Sequence, residues 1–118
     1  MIATGVDIVH IPTIEHLLED PATLKRMLHA SELSHPDPQH LAGIIAAKEA
    51  FFKAFEMRPQ WHEIEVKAKS NGKPVLVLST KWERQIMDLD VSISHDHEYA
   101  IAQVVVQKRE KEAWQKKQ

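Results

Sequence analysis

Apolar and polar positions alternate along this chain with two different periods. Ile2 to Ile11 is rich in β-branched residues and reads as a first strand. Asp20-Pro21 pairs a capping side chain with a first-turn proline and predicts a helix over Pro21 to His29, after which Ser31 and Glu32 open a short turn. Ser34 to Pro38 is a break, with Pro36 and Pro38 close together. The clearest helix runs from Pro38 to Phe55. Asp37 caps it, and Ile44, Ala47, Phe51 and Phe55 recur at three- and four-residue spacing, so that this stripe faces the core. Glu49 and Lys53 lie one turn apart on another side.

The second half of the chain switches to a period of two. In Trp61 to Ala68, Ile64, Val66 and Ala68 point one way while Glu63, Glu65 and Lys67 point the other. Asn71-Gly72 tolerates the positive φ of a tight turn, with Pro74 to Leu78 as the returning strand. Thr80 caps a short helix through Met87. Val91 to His95 and Tyr99 to Gln107 form a second hairpin around Asp96-His97-Glu98, and Lys108 to Gln118 is a charged, helix-favouring tail. The expected fold class is α+β, one long central helix packed on antiparallel strands.

Composition narrows the function. A chain of 118 residues is expected to form one domain. A domain of that size buries about two-thirds of its unfolded surface and has little stability to spare for an internal cavity. A site shared between subunits eases that limit. A net charge of -2 argues against a protein held by nucleic-acid phosphates. With no cysteine there is no disulfide, thiolate metal site or thiol nucleophile. Met1 to Ile11 carries Asp7 and lacks the basic region of a signal peptide, and no apolar run approaches ~20 residues. The expectation is a soluble cytoplasmic protein that binds neither nucleic acid nor membrane.

Single residues divide less cleanly. Asp7, a carboxylate among Val6, Ile8 and Val9, is unusual enough on a strand to suggest function. Glu49 and Lys53, by spacing alone, make an ordinary helix-surface pair worth ~0.2–0.5 kcal/mol. His95 and His97 form a lone His-x-His pair with no further ligand motif, and the other six histidines are scattered.

Several segments together change that picture: Gly5-Val6-Asp7-Ile8-Val9, then Ala46-Ala47-Lys48-Glu49-Ala50-Phe51-Phe52-Lys53-Ala54, the tryptophan-led Trp61 to Val66, Gly72-Lys73-Pro74, and Ser92-Ile93-Ser94-His95 followed by Tyr99-Ala100-Ile101-Ala102. In order, spacing and length the chain resembles the small holo-acyl-carrier-protein synthases of the phosphopantetheinyl transferase superfamily. The resemblance implies transfer of the 4′-phosphopantetheine arm of coenzyme A to a serine of an apo acyl carrier protein, with Mg²⁺ and release of 3′,5′-ADP. It implies Asp7 and Glu49 as metal carboxylates and Lys53 directed at the pyrophosphate, with Lys48 contacting phosphate or solvent; Glu49 is also a candidate to take the serine proton, directly or through a metal-bound water. Gly72, Lys73 and Pro74 are implied on the nucleotide side, and Ser92, Ser94 and His95 in a coenzyme-contacting strand. A homotrimer with sites between subunits is implied as well. Such a site, or a bulge, is needed, because alternation puts Ser92 and Ser94 on the opposite face from His95.

The chain also departs from the family's pattern. Pro12-Thr13 follow the first motif where an arginine is usual, Ile44-Ile45 stand where arginine-phenylalanine is common, and Phe55 to Gln60 replaces a glycine-containing loop. Arg58 and the pair Lys25-Arg26 are the candidate substitutes for the lost arginines. The first helical region mixes Glu15, Glu19 and Asp20 with Lys25 and Arg26, whereas family members meet an acidic carrier with a basic helix. Two alternatives follow: a homologue that only binds or scaffolds, and a metal-dependent phosphoester or pyrophosphate hydrolase.

Overall fold

The structure, a computed structural model, describes residues 1–110. Of the helical tail expected from Lys108 to Gln118, Lys108 instead ends the last strand, Arg109 and Glu110 belong to no element, and residues 111–118 lie outside the described residues. In order, the elements are β1 (Ile2–His10), α1 (Ile11–Leu17), α2 (Pro21–Met27), α3 (Pro38–Ala54), β2 (Ile64–Ala68), β3 (Pro74–Leu78), α4 (Thr80–Glu83), β4 (Ile86–Asp96) and β5 (Tyr99–Lys108), with 3₁₀ turns at Glu32–Ser34 and Trp61–Glu63. The α+β expectation holds. The strands divide into two antiparallel sheets, one ordered β1-β5-β4 and the other a β2-β3 hairpin.

The helix α3 is the hub. Asp37 caps it by accepting from the His40 N–H, and Pro38 occupies the first turn, where its missing N–H is harmless. Ile44, Ala47 and Phe51 are buried as expected, but so is nearly every other side of the helix. One flank packs on the three-stranded sheet and Trp82, where Phe51, Phe52 and Phe55 stack edge-on or tilted around the indole. The other flank meets Ile11, Ile14, Leu24 and Leu28 of α1, α2 and the residue that ends α2.

β1 lies against α3 through its odd-numbered residues. At Gly5 the approach is so close that a Cβ would sit 1.8 Å from the Ala50 carbonyl oxygen, so only glycine fits. Register pairs Asp7 with Ala102 and, across β5, Ala102 with Ile93. Ile2, Val6, Ile8, Ile101 and Val105 consequently share the outer face of the sheet, exposed to between 41% and 72%.

Three expectations shift. Ile11 opens α1 instead of ending the first strand, and α1 is separate from α2. The acids Glu15, Glu19 and Asp20 thus lie on or after α1, while Lys25 and Arg26 belong to α2. The helix from Thr80 stops at Glu83, and β4 begins at Ile86, five residues before Val91. An irregularity between Ile86 and Asp88 breaks the period of two there. The β2-β3 turn and the Asp96–Tyr99 hairpin form as expected, with Gly72 at φ 87 and His97 at φ 52. No helix of the described residues is long and apolar enough to cross a membrane.

Candidate active site

The approach permitted by Gly5 brings β1 and α3 together where Asp7, Glu49 and Lys53 project. Asp7 is 8% exposed, and its Oδ1 accepts from Lys53 Nζ at 2.9 Å. The same ammonium donates to the Val6 carbonyl at 3.2 Å. Oδ2 of Asp7 is buried and receives no hydrogen bond. Glu49 is half-buried beside it, and its carboxyl is pushed up from 4.5 to about 7. Burial is the main cause, followed by hydrogen bonding to Asp7 and by that residue's charge, with Lys53 opposing. The proton reconciles the two carboxyls: a protonated Glu49 has a hydrogen to give Asp7, and an ionised one has none. Lys53 is raised in turn, first by its bond to Asp7.

This donor set fits a hard divalent cation. Both carboxylates offer only oxygen, one buried oxygen is left without a partner, and an added positive charge would offset the burial, and the Asp7 charge, that push the Glu49 carboxyl up. Mg²⁺ is usually held by one or two carboxylates with substrate phosphates and water completing the shell. Among the described residues no group of three or more His, Cys, Asp or Glu side chains gathers as a metal site. Glu49 and Lys53 open onto a cleft of about 460 Å³ whose remaining wall is Glu56, Met57, Arg58 and Pro59.

The other expected site residues lie elsewhere. Lys48 is fully buried and does not reach a phosphate. Its ammonium donates to Glu32 Oε1 at 2.6 Å and to the Met27 and Trp61 carbonyls, and desolvation holds its pKa below the usual lysine range. Glu32 also accepts from the His29 and Val66 N–H groups, so the pair pins α3 to the α2 end and to β2. Nothing in the sequence around Glu32 signals this role. Ser92 and Ser94 are exposed on the outer sheet face, opposite the side from which Asp7 projects, and the β4 irregularity is too far along the strand to turn them. Lys73 pairs with Asp90 at 2.8 Å and donates to the Val91 carbonyl.

Gly72, Pro74 and His95 do meet, in a second cleft of about 500 Å³. Ile44 lines it too, at the position where the resemblance expects arginine, and His35 and His40 join from the segment before α3 and its first turn. His95 Nε2 donates to the Gln39 carbonyl at 3.0 Å. Glu49 of the first cleft and Ile44 of the second are five positions apart on α3, roughly 7.5 Å along the helix axis at 1.5 Å per residue.

Comparisons with known proteins point to one family and one fold. The sequence model of the 4′-phosphopantetheinyl transferase superfamily matches residues 3–104. A holo-[acyl-carrier-protein] synthase of Halalkalibacterium halodurans is 37% identical over 92% of this chain and 97% of its own length. The crystal structure of Helicobacter pylori holo-[acyl-carrier-protein] synthase in complex with coenzyme A superposes with a TM-score of 0.80 at 33% identity, covering 88% of this chain and 99% of that one. The corresponding Neisseria meningitidis structure gives 0.80 at 31% identity over 92% of this chain and all of its own.

Proposed function

Because the chain belongs to the holo-acyl-carrier-protein synthases of the 4′-phosphopantetheinyl transferase superfamily, we propose that its carboxylate cleft moves the 4′-phosphopantetheine arm of coenzyme A to a serine of an apo acyl carrier protein, with Mg²⁺ and release of 3′,5′-ADP. The observation that carries this reading is Asp7, Glu49 and Lys53 gathered at one cleft. Asp7 and Glu49 would hold the cation, which would neutralise charge on the phosphate oxygens. The Lys53 side chain is 57% exposed and so is free to turn from Asp7 towards the phosphate that transfers. The serine oxygen attacks the β-phosphorus, the bond from that phosphorus to the bridging oxygen breaks, and 3′,5′-ADP departs with its electron pair. Glu49 is the carboxylate at the cleft that would take the serine proton, directly or through a metal-bound water.

One copy supplies only part of this machinery, since the Gly72-Pro74-His95 cleft and the outer-face serines do not share the carboxylate cleft. The proposal is a homotrimer acting in the cytoplasm, in which the apolar outer face of each sheet is covered by a neighbour. The neighbour's second cleft, Lys73, Ser92 and Ser94 then complete the coenzyme site. An exposed face carrying Ile2, Val6, Ile8, Ile101 and Val105 supports this, because monomers seldom leave so large an apolar patch open. Residues 1–118 are read as one such domain.

The test is intact-mass analysis of apo carrier proteins incubated with this protein, coenzyme A and Mg²⁺. A gain of one phosphopantetheine, lost with EDTA and with Glu49→Ala, is expected. No gain across diverse carriers with folded protein would return the choice to the binding-only homologue, and phosphopantetheine released without an acceptor would point to the hydrolase.

A further inference from the structure

Arg58 is exposed at the wall of the catalytic cleft, alongside Glu49, Lys53 and Glu56, and among the described residues it forms no ion pair. It is the only cation besides Lys53 that lines this cleft. Its backbone is fixed from both sides. Upstream, α3 ends in a reversed pair of hydrogen bonds, Glu56 N–H to the Lys53 carbonyl at 3.0 Å and Met57 N–H to the Phe52 carbonyl at 3.1 Å. That is the closing pattern of a Schellman turn, which places one residue in the left-handed region and usually uses glycine for it. Here the residue is Glu56, at φ 56, a conformation that costs a non-glycine residue roughly 1–2 kcal/mol. Downstream, Pro59 restricts Arg58 to extended backbone. Strain of this kind collects at sites that use the resulting geometry.

We propose that Arg58 binds the diphosphate of coenzyme A as a second cation beside Lys53, an inference that rests on the transferase reading of this cleft. A diphosphate spreads negative charge over several oxygens, and a guanidinium fork engages two of them at once, which an ammonium does not. The competing cations are placed elsewhere: Lys25 and Arg26 do not line the cleft, and Arg26 donates to Thr23 Oγ1 on its own helix. Neither position where the family has arginine serves this cleft: Ile44 lines the other one, and Pro12 and Thr13 do not line this one. A turn held open by Glu56 and closed by Pro59 brings the replacement from the loop instead.

The experiment measures transfer kinetics and calorimetric binding for the wild type, Arg58→Ala and Arg58→Lys, using coenzyme A and 3′-dephospho-coenzyme A with Mg²⁺, and varies the carrier separately. Wild-type protein that transfers nothing overturns the transferase reading, and this inference with it. With wild-type transfer present, Arg58→Ala is expected to weaken both coenzymes by roughly ten- to a hundred-fold, as loss of a charged hydrogen bond does, while the KM for the carrier stays unchanged. Arg58→Lys should recover part of that loss. Three results overturn the inference alone: unchanged coenzyme binding, a loss confined to the coenzyme that bears the 3′-phosphate, or a rise in the carrier's KM instead. An unaltered melting temperature in both variants, expected for an exposed side chain without partners, separates these outcomes from misfolding.

Discussion

The carboxyl of Glu49 makes the metal-free protein sensitive to pH in a direction opposite to most acids. Its folded pKa, about 7, lies above the unfolded value of 4.5, so the folded state holds a proton that the unfolded state gives up. The stabilisation is full below 4.5 and is lost as pH rises through about 7. Melting temperature in EDTA should fall across that window, and Glu49→Gln, neutral throughout, should flatten the curve and remain more stable at pH 8. A variant whose slope matches the wild type would remove Glu49 as the cause. Glu56 offers an independent test. Glu56→Gly relieves the left-handed strain, partly offset by glycine's larger unfolded entropy, and should raise stability by about 0.5–1 kcal/mol in urea titration. Asp7, Glu49 and Lys53 were legible as a group only through the resemblance that joined the first strand to the long helix, because the spacing of Glu49 and Lys53 by itself reads as an ordinary helix-surface pair. Glu56 and Arg58 were harder to read, since their meaning lies in a backbone angle and a cleft wall that no spacing announces.

Among the elements, α3 and the β2-β3 hairpin were readable because capping residues and turn residues act locally. The start of β4 was not, since Asp88 and Asp90 are exposed on the solvent side and the irregularity at Ile86 disrupts alternation. Lys48 shows the limit most clearly. A lysine one residue before the proposed catalytic glutamate reads as a ligand contact, yet Ile44, Ile45, Phe51 and Phe52, one turn away on either side, are all buried, and its partner Glu32 lies 16 positions away. Lys48→Ala would leave the Glu32 carboxylate buried without its cation. Breaking such a pair typically costs about 3–5 kcal/mol, a loss that urea unfolding would register as a lower midpoint. A loss below about 1 kcal/mol would mean that Glu32 finds water or moves out.

For the molecule as a whole, the outer sheet face and the split between two clefts lead to one expectation. Ile8→Asp places a charge in the proposed subunit interface and should shift the sedimentation coefficient to that of a monomer, abolishing transfer while Asp7, Glu49 and Lys53 remain in place. Complementation makes the same point without disrupting assembly. Glu49→Ala and His95→Ala, each inactive alone, should regain a fraction of wild-type transfer after subunit exchange, because one mixed interface carries both intact halves. No recovery in mixtures shown to have exchanged would place the whole site within one chain. This level of organisation entered the sequence reading through resemblance, since periodicity says which face is apolar and not what covers it.

The contact at Gly5 also bears on how the site would meet the proposed cation. Asp7's strand and Glu49's helix are spaced by backbone against backbone, and backbone has no rotamers through which to relax. Two carboxylates that repel each other are held side by side before any ion arrives. The ordering entropy that a looser scaffold would lose at every binding event is incurred once, when the chain folds.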